Sequence, residues 1–376
     1  MISVGKPVMT NSGEITKAVF SIKNGVTNET HDLIYEFERE YEEHFTEDRA
    51  DGVLVSMLHW LAVNHYDVRL EQPVSEHLYY QIIEHLLPAW DSKIKIHCKT
   101  TNVYYPPGKH VATGMSCGVD SITTHHLHHA SPPPYRLSML TFFGAGAIWG
   151  SWSRQTELFK EELANSKRFA EAVGVPLFVV NSNMDAIFDE KHLVSHTFRN
   201  CGVVLLFQKM FHVYFYSSTV PFELFSVDIN GDAGHYELFT LPLLSLPNIK
   251  FFSSGASLSR IEKTRRIKDS ELAQKFLNVC VYSSHNCGDC FKCIRTLATL
   301  DSMDRLDEFS EVFDIEKYRK KRAKVIGTHI LLGKFRPDFA DFAHEIYIDL
   351  KSNKKIPASS YMWAFLRLVV SPFRWW

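Results

Sequence analysis

From residue 110 onward, short apolar runs alternate with longer amphipathic ones, and this rhythm limits the fold more than any other feature of the chain. Residues 110–115, 136–143 and 176–182 read as strands. Residues 119–130, 154–173 and 198–216 read as helices, residues 224–229 as a strand end and residues 248–253 as a further strand. The run 176–182 is nearly all apolar, as expected when helices cover both faces of a sheet. Such alternation predicts an α/β fold with a doubly wound parallel sheet and a ligand over the C-terminal strand ends. Those ends carry Ser116, the Phe143-Gly144 pair, Asn181, Asp228 with Asp232, and the Ser-Ser-Gly run 253–255.

The first strand feeds a tight Ser116-Cys117-Gly118 turn and then a helix opening Val119-Asp120-Ser121. The first amides of a helix lack partners within it, and its dipole favours negative charge there, so this is a candidate anion site. Ser116 and Ser121 add hydroxyl donors. Asp120 would repel a phosphate unless a divalent cation or a backbone amide accompanies it. The stretch is not a Walker A loop, because the Gly-Lys-Ser/Thr ending is missing. Cys117 matters if its position needs a positive φ, which glycine alone takes without penalty.

A second signal is Cys280, Cys287, Cys290 and Cys293, four thiols with gaps of six, two and two residues. Two-residue gaps let successive thiolates turn onto one ion, and four cysteines make a closed structural Zn2+ shell. An iron-sulfur cluster is the metal alternative, and His285 is a possible replacement ligand. Seven cysteines without a secretion signal read as cytoplasmic thiols plus a metal site, not as a disulfide framework.

The remaining sequence sets bounds. At 376 residues the chain exceeds one ordinary core, so one α/β domain with additions is expected. The net charge of -2 argues against a nucleic-acid partner. No apolar stretch reaches spanning length, so no membrane partner is expected. The expected division is an accessory N-terminal lobe at 1–105, a nucleotide domain at 106–300 with the knuckle at 280–293, and a helical extension at 301–376. In the lobe, residues 18–23 and 94–100 read as strands, and residues 31–44, 54–61 and 77–87 as helices, the last starting at a Ser75 cap. Crowded His125, His126, His128 and His129 read as an exposed helix face, the run 317–324 as solvated basic charge, and the aromatic tail 361–376 as docked on the domain, with membrane-interface or partner contact as the alternative.

The loop 116–121 is similar to the Ser-Gly-Gly-x-Asp-Ser loop of the N-type ATP pyrophosphatases (the PP-loop superfamily), with Cys117 in place of the first glycine. Taken with the cysteines, the chain resembles 7-cyano-7-deazaguanine synthases over about residues 110–300. The carrying patches are 115–121, Thr197-Phe-Arg-Asn200, Asp228-Ile-Asn-Gly-Asp232, Ser259-Arg-Ile-Glu-Lys263 and Cys287-Gly-Asp-Cys-Phe-Lys-Cys-Ile-Arg295. The resemblance implies a HUP-type sheet and an ATP-dependent, AMP-forming carbon-nitrogen ligase that adenylates a carboxylate or amide before a nitrogen nucleophile displaces AMP. It implies that Ser116, Cys117, Gly118, Val119, Asp120 and Ser121 hold the pyrophosphate of ATP, with Asp120 nearest Mg2+. Arg199 and Lys263 would stabilise phosphate charge beside catalytic Asp120, and Asp228 and Asp232 would hold metal or substrate or cap a loop. Cys280, Cys287, Cys290 and Cys293 would bind structural zinc.

Departures fall on the substrate side, where residues 142–150 keep glycines but lose the family's polar groups. The acceptor implied is then a small molecule, a peptide or a protein, in a homodimer or with an operon-encoded partner, including in antiphage defence. The rival readings are a catalytically silent nucleotide-binding subunit and a PP-loop tRNA-modifying enzyme.

Overall fold

The computed structural model describes residues 1–146, 155–335 and 341–370. Its strands are β1 (Ile2–Val4), β2 (Val8–Ser12), β3 (Ile15–Asn24), β4 (Thr30–Glu38), β5 (Val68–Leu70), β6 (Val74–Ser75), β7 (Ile96–His97), β8 (Thr100–Thr101), β9 (His110–Gly114), β10 (Met139–Gly144), β11 (Leu177–Ser182), β12 (Phe211–Ser217) and β13 (Lys250–Ser254). The helices are α1 (Asp51–Val63), α2 (Glu76–Gln81), α3 (Leu87–Ala89), α4 (Val119–His128), α5 (Gln155–Val173), α6 (Met184–Phe188), α7 (His192–Leu206), α8 (Glu237–Leu244), α9 (Arg260–Ile267), α10 (Glu271–Phe276), α11 (Phe291–Ser302), α12 (Ile315–Phe335), α13 (Asp341–Ser352) and α14 (Ala358–Val370). None of them is long and apolar enough to cross a membrane.

The main sheet runs β13-β12-β9-β10-β11-β4-β3-β1-β5-β7, with β2 along β3. The five strands from β13 to β11 are parallel to one another. Counting β9 as the first of them, their order from β11 is 3-2-1-4-5. This order reverses direction beside β9, and such a reversal is where open α/β sheets leave a crevice at the carboxyl ends of their strands. The fold is therefore mixed α/β around a mostly parallel sheet. Alternation along β11 dresses its two faces differently. Phe178 and Val180 enter the main core, whereas Leu177 and Val179 pack on Phe142 and on Phe159 of α5.

Three local expectations are corrected. Residues 31–44 are not a helix but β4 followed by a 3-10 turn, Arg39–His44. Leu33, Tyr35 and Phe37 alternate inward, so the strand period outweighs the acidic residues between them. Residues 198–216 are not one helix. Helix α7 ends at Leu206, and the aromatic run Phe211–Ser217 is strand β12, which lies between β9 and β13. No strand forms at 224–229, where a 3-10 turn Phe222–Leu224 leads into a loop. The glycine-rich stretch 142–150 leaves the described residues after Gly146, and the tail beyond Val370 lies outside them.

The N-terminal strands extend the same sheet, because β4 pairs antiparallel with β11. The chain forms two compact units: residues 1–115 with 127–257, and residues 116–126 with 258–376. The first holds the sheet. The second holds the turn and first helical turns after β9, together with α9 to α14.

Candidate anion site and four-cysteine centre

In the second unit the turn before α4 is built by Cys117, which takes φ 57. A cysteine thus occupies the left-handed region that favours glycine. The Ser116 and Ser121 hydroxyls lie 3.4 Å apart, and Ser121 donates to the Gly118 carbonyl at 3.1 Å. The Asn278 amide donates to the Cys117 carbonyl at 2.8 Å, which ties the turn to the segment leading into the cysteines.

Helix α9 starts on a capping box. Ser259 accepts from the Glu262 amide, and the Glu262 side chain accepts from the Ser259 amide. This start sets Arg260 and Lys263, three residues apart on one helix face, against Asp120. Arg260 Nη1 lies 2.7 Å from Asp120 Oδ2, and Lys263 Nζ lies 3.0 Å from Asp120 Oδ1. Burial alone would raise the Asp120 carboxyl, but Arg260 and Lys263 override it and hold the group down at about 2. Lys263 is only 2% exposed, so it is a buried ion-paired cation and not a surface one.

Helix α11 adds Lys292 and Arg295, again three residues apart. Burial lowers Lys292, and the charges of Arg295 and Arg260 lower it further. Arg295 is brought down to about 9 by burial, then by the charge of Arg260. Its guanidinium lies over the Phe342 ring at 4.7 Å, and its buried Nε has no hydrogen-bond partner. Two cations therefore clamp one low carboxylate and two more feel its charge, while burial pushes the Glu345 carboxyl up. Positive charge in excess, an orphaned donor and two hydroxyls suit a polyanion.

Asp120 and Lys263 thus lie together, but as an ion pair, which is the alternative to a phosphate role for Lys263, and both Asp120 oxygens face cations. Arg260, Lys292 and Arg295 join them without having been assigned roles from the sequence. Their available signal is the spacing of three residues between cations within the 259–263 and 287–295 patches.

The Sγ atoms of Cys280, Cys287, Cys290 and Cys293 all lie within 4.8 Å of one another, so these thiols can hold a metal ion. A tetrahedral Zn2+ with Zn-S bonds of about 2.3 Å needs sulfurs about 3.8 Å apart. Cys287 and Cys293 are 4.0 Å apart. Gly288 takes φ 72, and the chain folds back so that the Asp289 and Cys290 amides donate to Cys287 Sγ at 3.4 and 3.3 Å. Burial opposes ionisation of Cys287, yet these amides bring its thiol down to about 7. The Cys293 amide donates to Cys290 Sγ at 3.4 Å, making Cys290 the N-cap of α11. Amide donors aimed at sulfur stabilise thiolates, the form that binds metal.

The basic run 317–324 braces this centre. Lys317 donates to the Cys287 carbonyl at 2.7 Å and pairs with Asp289, as does Lys321. Arg319 pairs with Asp307, and Arg322 with Asp301.

The other assigned residues lie in the first unit. Arg199 is 0% exposed, with Nη2 at 3.3 Å from Glu190 and Nη1 at 3.6 Å from Asp185. Glu190 also bonds His59, whose Nε2 lies 2.7 Å from the Ile229 carbonyl. Asp228 caps its own turn by accepting from the Asn230 amide at 2.9 Å. Asp232 accepts from the Gly234 amide and from His196, whose Nδ1 faces the buried Tyr216 hydroxyl. His59, Glu190, His196 and Tyr216 carry no motif in the sequence. His128 stacks on Phe215 at 3.7 Å and bonds Ser254. Among the described residues the only group with metal-binding geometry is the four cysteines, so the histidine-rich helix makes none.

Comparison with protein-family models, with curated proteins and with solved structures finds no match to this chain.

Proposed function

We propose that this chain is an ATP-dependent, AMP-forming ligase of the PP-loop type, built on a doubly wound HUP-like sheet with a structural zinc knuckle. The observation that carries the reading is the charge arrangement of the second unit. A Ser/Gly turn opens α4, and Asp120 there is clamped by Arg260 and Lys263, with Lys292 and Arg295 nearby. The order of the parallel strands supports it, because the turn follows the strand at which the order reverses.

In this reading Ser116, Ser121 and the first amides of α4 bind the β- and γ-phosphates. The four cations hold the charge that grows on the leaving pyrophosphate. An acid oxygen of the acceptor bonds the α-phosphorus as the bond to pyrophosphate breaks. A nitrogen nucleophile then bonds the activated carbon, and AMP departs with the acid oxygen. Mg2+ would supply further neutralisation of phosphate charge. The acceptor is a small-molecule, peptide or protein carboxylate or amide, and the setting is cytoplasmic.

One observation favours the silent nucleotide-binding alternative: both Asp120 oxygens face cations, so a metal must compete with Arg260 and Lys263 for them. Pyrophosphate and AMP release from ATP and Mg2+ tests the choice, with 7-carboxy-7-deazaguanine plus ammonium as the first acceptor pair and other acids after it. The ligase reading expects acceptor-dependent release that Asp120→Asn lowers by about a hundredfold. Bound ATP with no release under any acceptor would sink it in favour of the silent subunit.

A further inference from the structure

Helix α14 docks on α12 through its small residues. Gly327 of α12 leaves room for it: a Cβ there would meet the Ser360 carbonyl oxygen at 2.7 Å and Trp363 Cβ at 2.9 Å. Ser360 and Ala364 are buried, and Arg367 donates to Thr328 Oγ1 at 2.6 Å. The helix is therefore fixed with its other side outward. That side carries Met362, Phe365 and Val369, exposed at 57%, 65% and 64%, flanked by Tyr361, Trp363 and Leu366. A contiguous apolar face of this kind marks an interaction surface.

Charge indicates what covers it. Residues 351–376 contain Lys351, Lys354, Lys355, Arg367 and Arg374 and no Asp or Glu, in a chain whose net charge is -2. Lys355 is paired with Asp304, but Lys351 and Lys354 are exposed just before the helix. An outward face of Trp, Phe, Tyr, Met and Leu with cations at its end matches the headgroup layer of an anionic bilayer. A helix of 13 residues spans about 20 Å, short of the ~30 Å hydrocarbon core, so it can lie in the interface but not cross.

We propose that α14 is a membrane-interface helix that seats this protein on anionic lipid. From the sequence the tail reads as docked on the domain, with membrane-interface or partner contact as the alternative; the outward apolar face of α14 favours the membrane-interface alternative, and lying on a surface is a different physical state from spanning. The inference does not depend on the ligase reading.

Flotation of the purified full chain with phosphatidylcholine vesicles, with and without about a quarter phosphatidylglycerol, tests it. Binding to the anionic vesicles that weakens at high salt is expected. Phe365→Glu with Val369→Glu should reduce it at least about tenfold, and Lys351→Gln with Lys354→Gln should reduce it by a similar factor at low salt. Neither pair touches the α12 seam, so circular dichroism melting should not change. Absence of vesicle binding, or binding that both pairs leave intact, overturns the proposal. So does a dimer in light scattering that the Phe365/Val369 pair splits without any vesicle binding, because the face would then belong to a second copy.

Discussion

Asp120 concentrates the physics of the candidate site in one side chain. Its carboxyl sits at about 2 instead of the usual 3.8, held there against burial by Arg260 and Lys263. A lowered folded-state pKa contributes stability that is complete above the unfolded value and fades as pH falls through the folded one. The window is therefore from about pH 4 down to about pH 2, and the shift corresponds to about 2 kcal/mol. Urea unfolding should show Asp120→Asn less stable than the parent by at least that amount near neutrality, since two cations also lose their partner. The gap should narrow as pH falls through this window, and a gap that persists unchanged near pH 2 would rule out the linkage. Cys117 is the companion case. Its φ of 57 lies in the region that glycine takes without penalty, and the buried side chain shows that the position accepts a small residue.

At the scale of elements, the seam between α1 and α7 depends on two glycines. A Cβ on Gly202 would come within 2.6 Å of the Ser56 amide nitrogen, and one on Gly52 within 2.6 Å of that of Leu206. Backbone cannot yield as a flexible side chain can, so Gly202→Val should cost about 3 kcal/mol or leave the protein insoluble. Denaturant midpoints for the soluble fraction would measure it, and a neutral effect would show that the seam is slack. Neither glycine stood out in the sequence, because close approach depends on a partner helix about 150 residues away. What was legible followed local rules. The strand at 110–115, the helix ending at Gly174 with φ 68, and the two-residue cysteine gaps all depend on near neighbours. What misled was a tie between periods. The aromatic run of β12 fits a buried helix and a buried strand equally, and only its place between β9 and β13 settles it. The candidate site was half legible for the same reason: Asp120 and Lys263 were given roles from the sequence, whereas Arg260, Lys292 and Arg295 lie inside patches it singles out but join the charge cluster only once α9 and α11 pack in the same unit.

For the whole molecule, the two compact units differ in what stabilises them. The sheet unit has the large apolar core, in which Phe20, Tyr35, Phe37, Phe45, Phe178 and Phe207 are fully buried. The second unit is helical, with its own buried apolar residues such as Leu297, Phe309, Ile326 and Leu350, and it adds four thiols that can hold a metal ion. A structural Zn2+ contributes on the order of 10 kcal/mol, as much as a whole domain's net stability. Elemental analysis should find one Zn2+ per chain, and Cys287→Ser should give insoluble or metal-free protein. After chelation, hydrogen exchange should accelerate in α9 to α14 and in residues 116–126, while the strands β9 to β13 keep their protection. Uniform loss across both units, or none, would contradict a metal that stabilises only the second.

The same division sets an order of events during synthesis. Asp120 leaves the ribosome 140 residues before Arg260 and 143 before Lys263. At 5–20 residues per second that is a delay on the order of ten seconds. Throughout it the strands on either side of the loop can begin to pair, while the loop waits without its counter-ions. A nascent chain halted near residue 257 would therefore carry the parallel sheet and the Ser/Gly turn, yet lack every cation that holds Asp120. The charge clamp on Asp120 is a late acquisition of the growing chain, completed only when Arg260 and Lys263 have emerged.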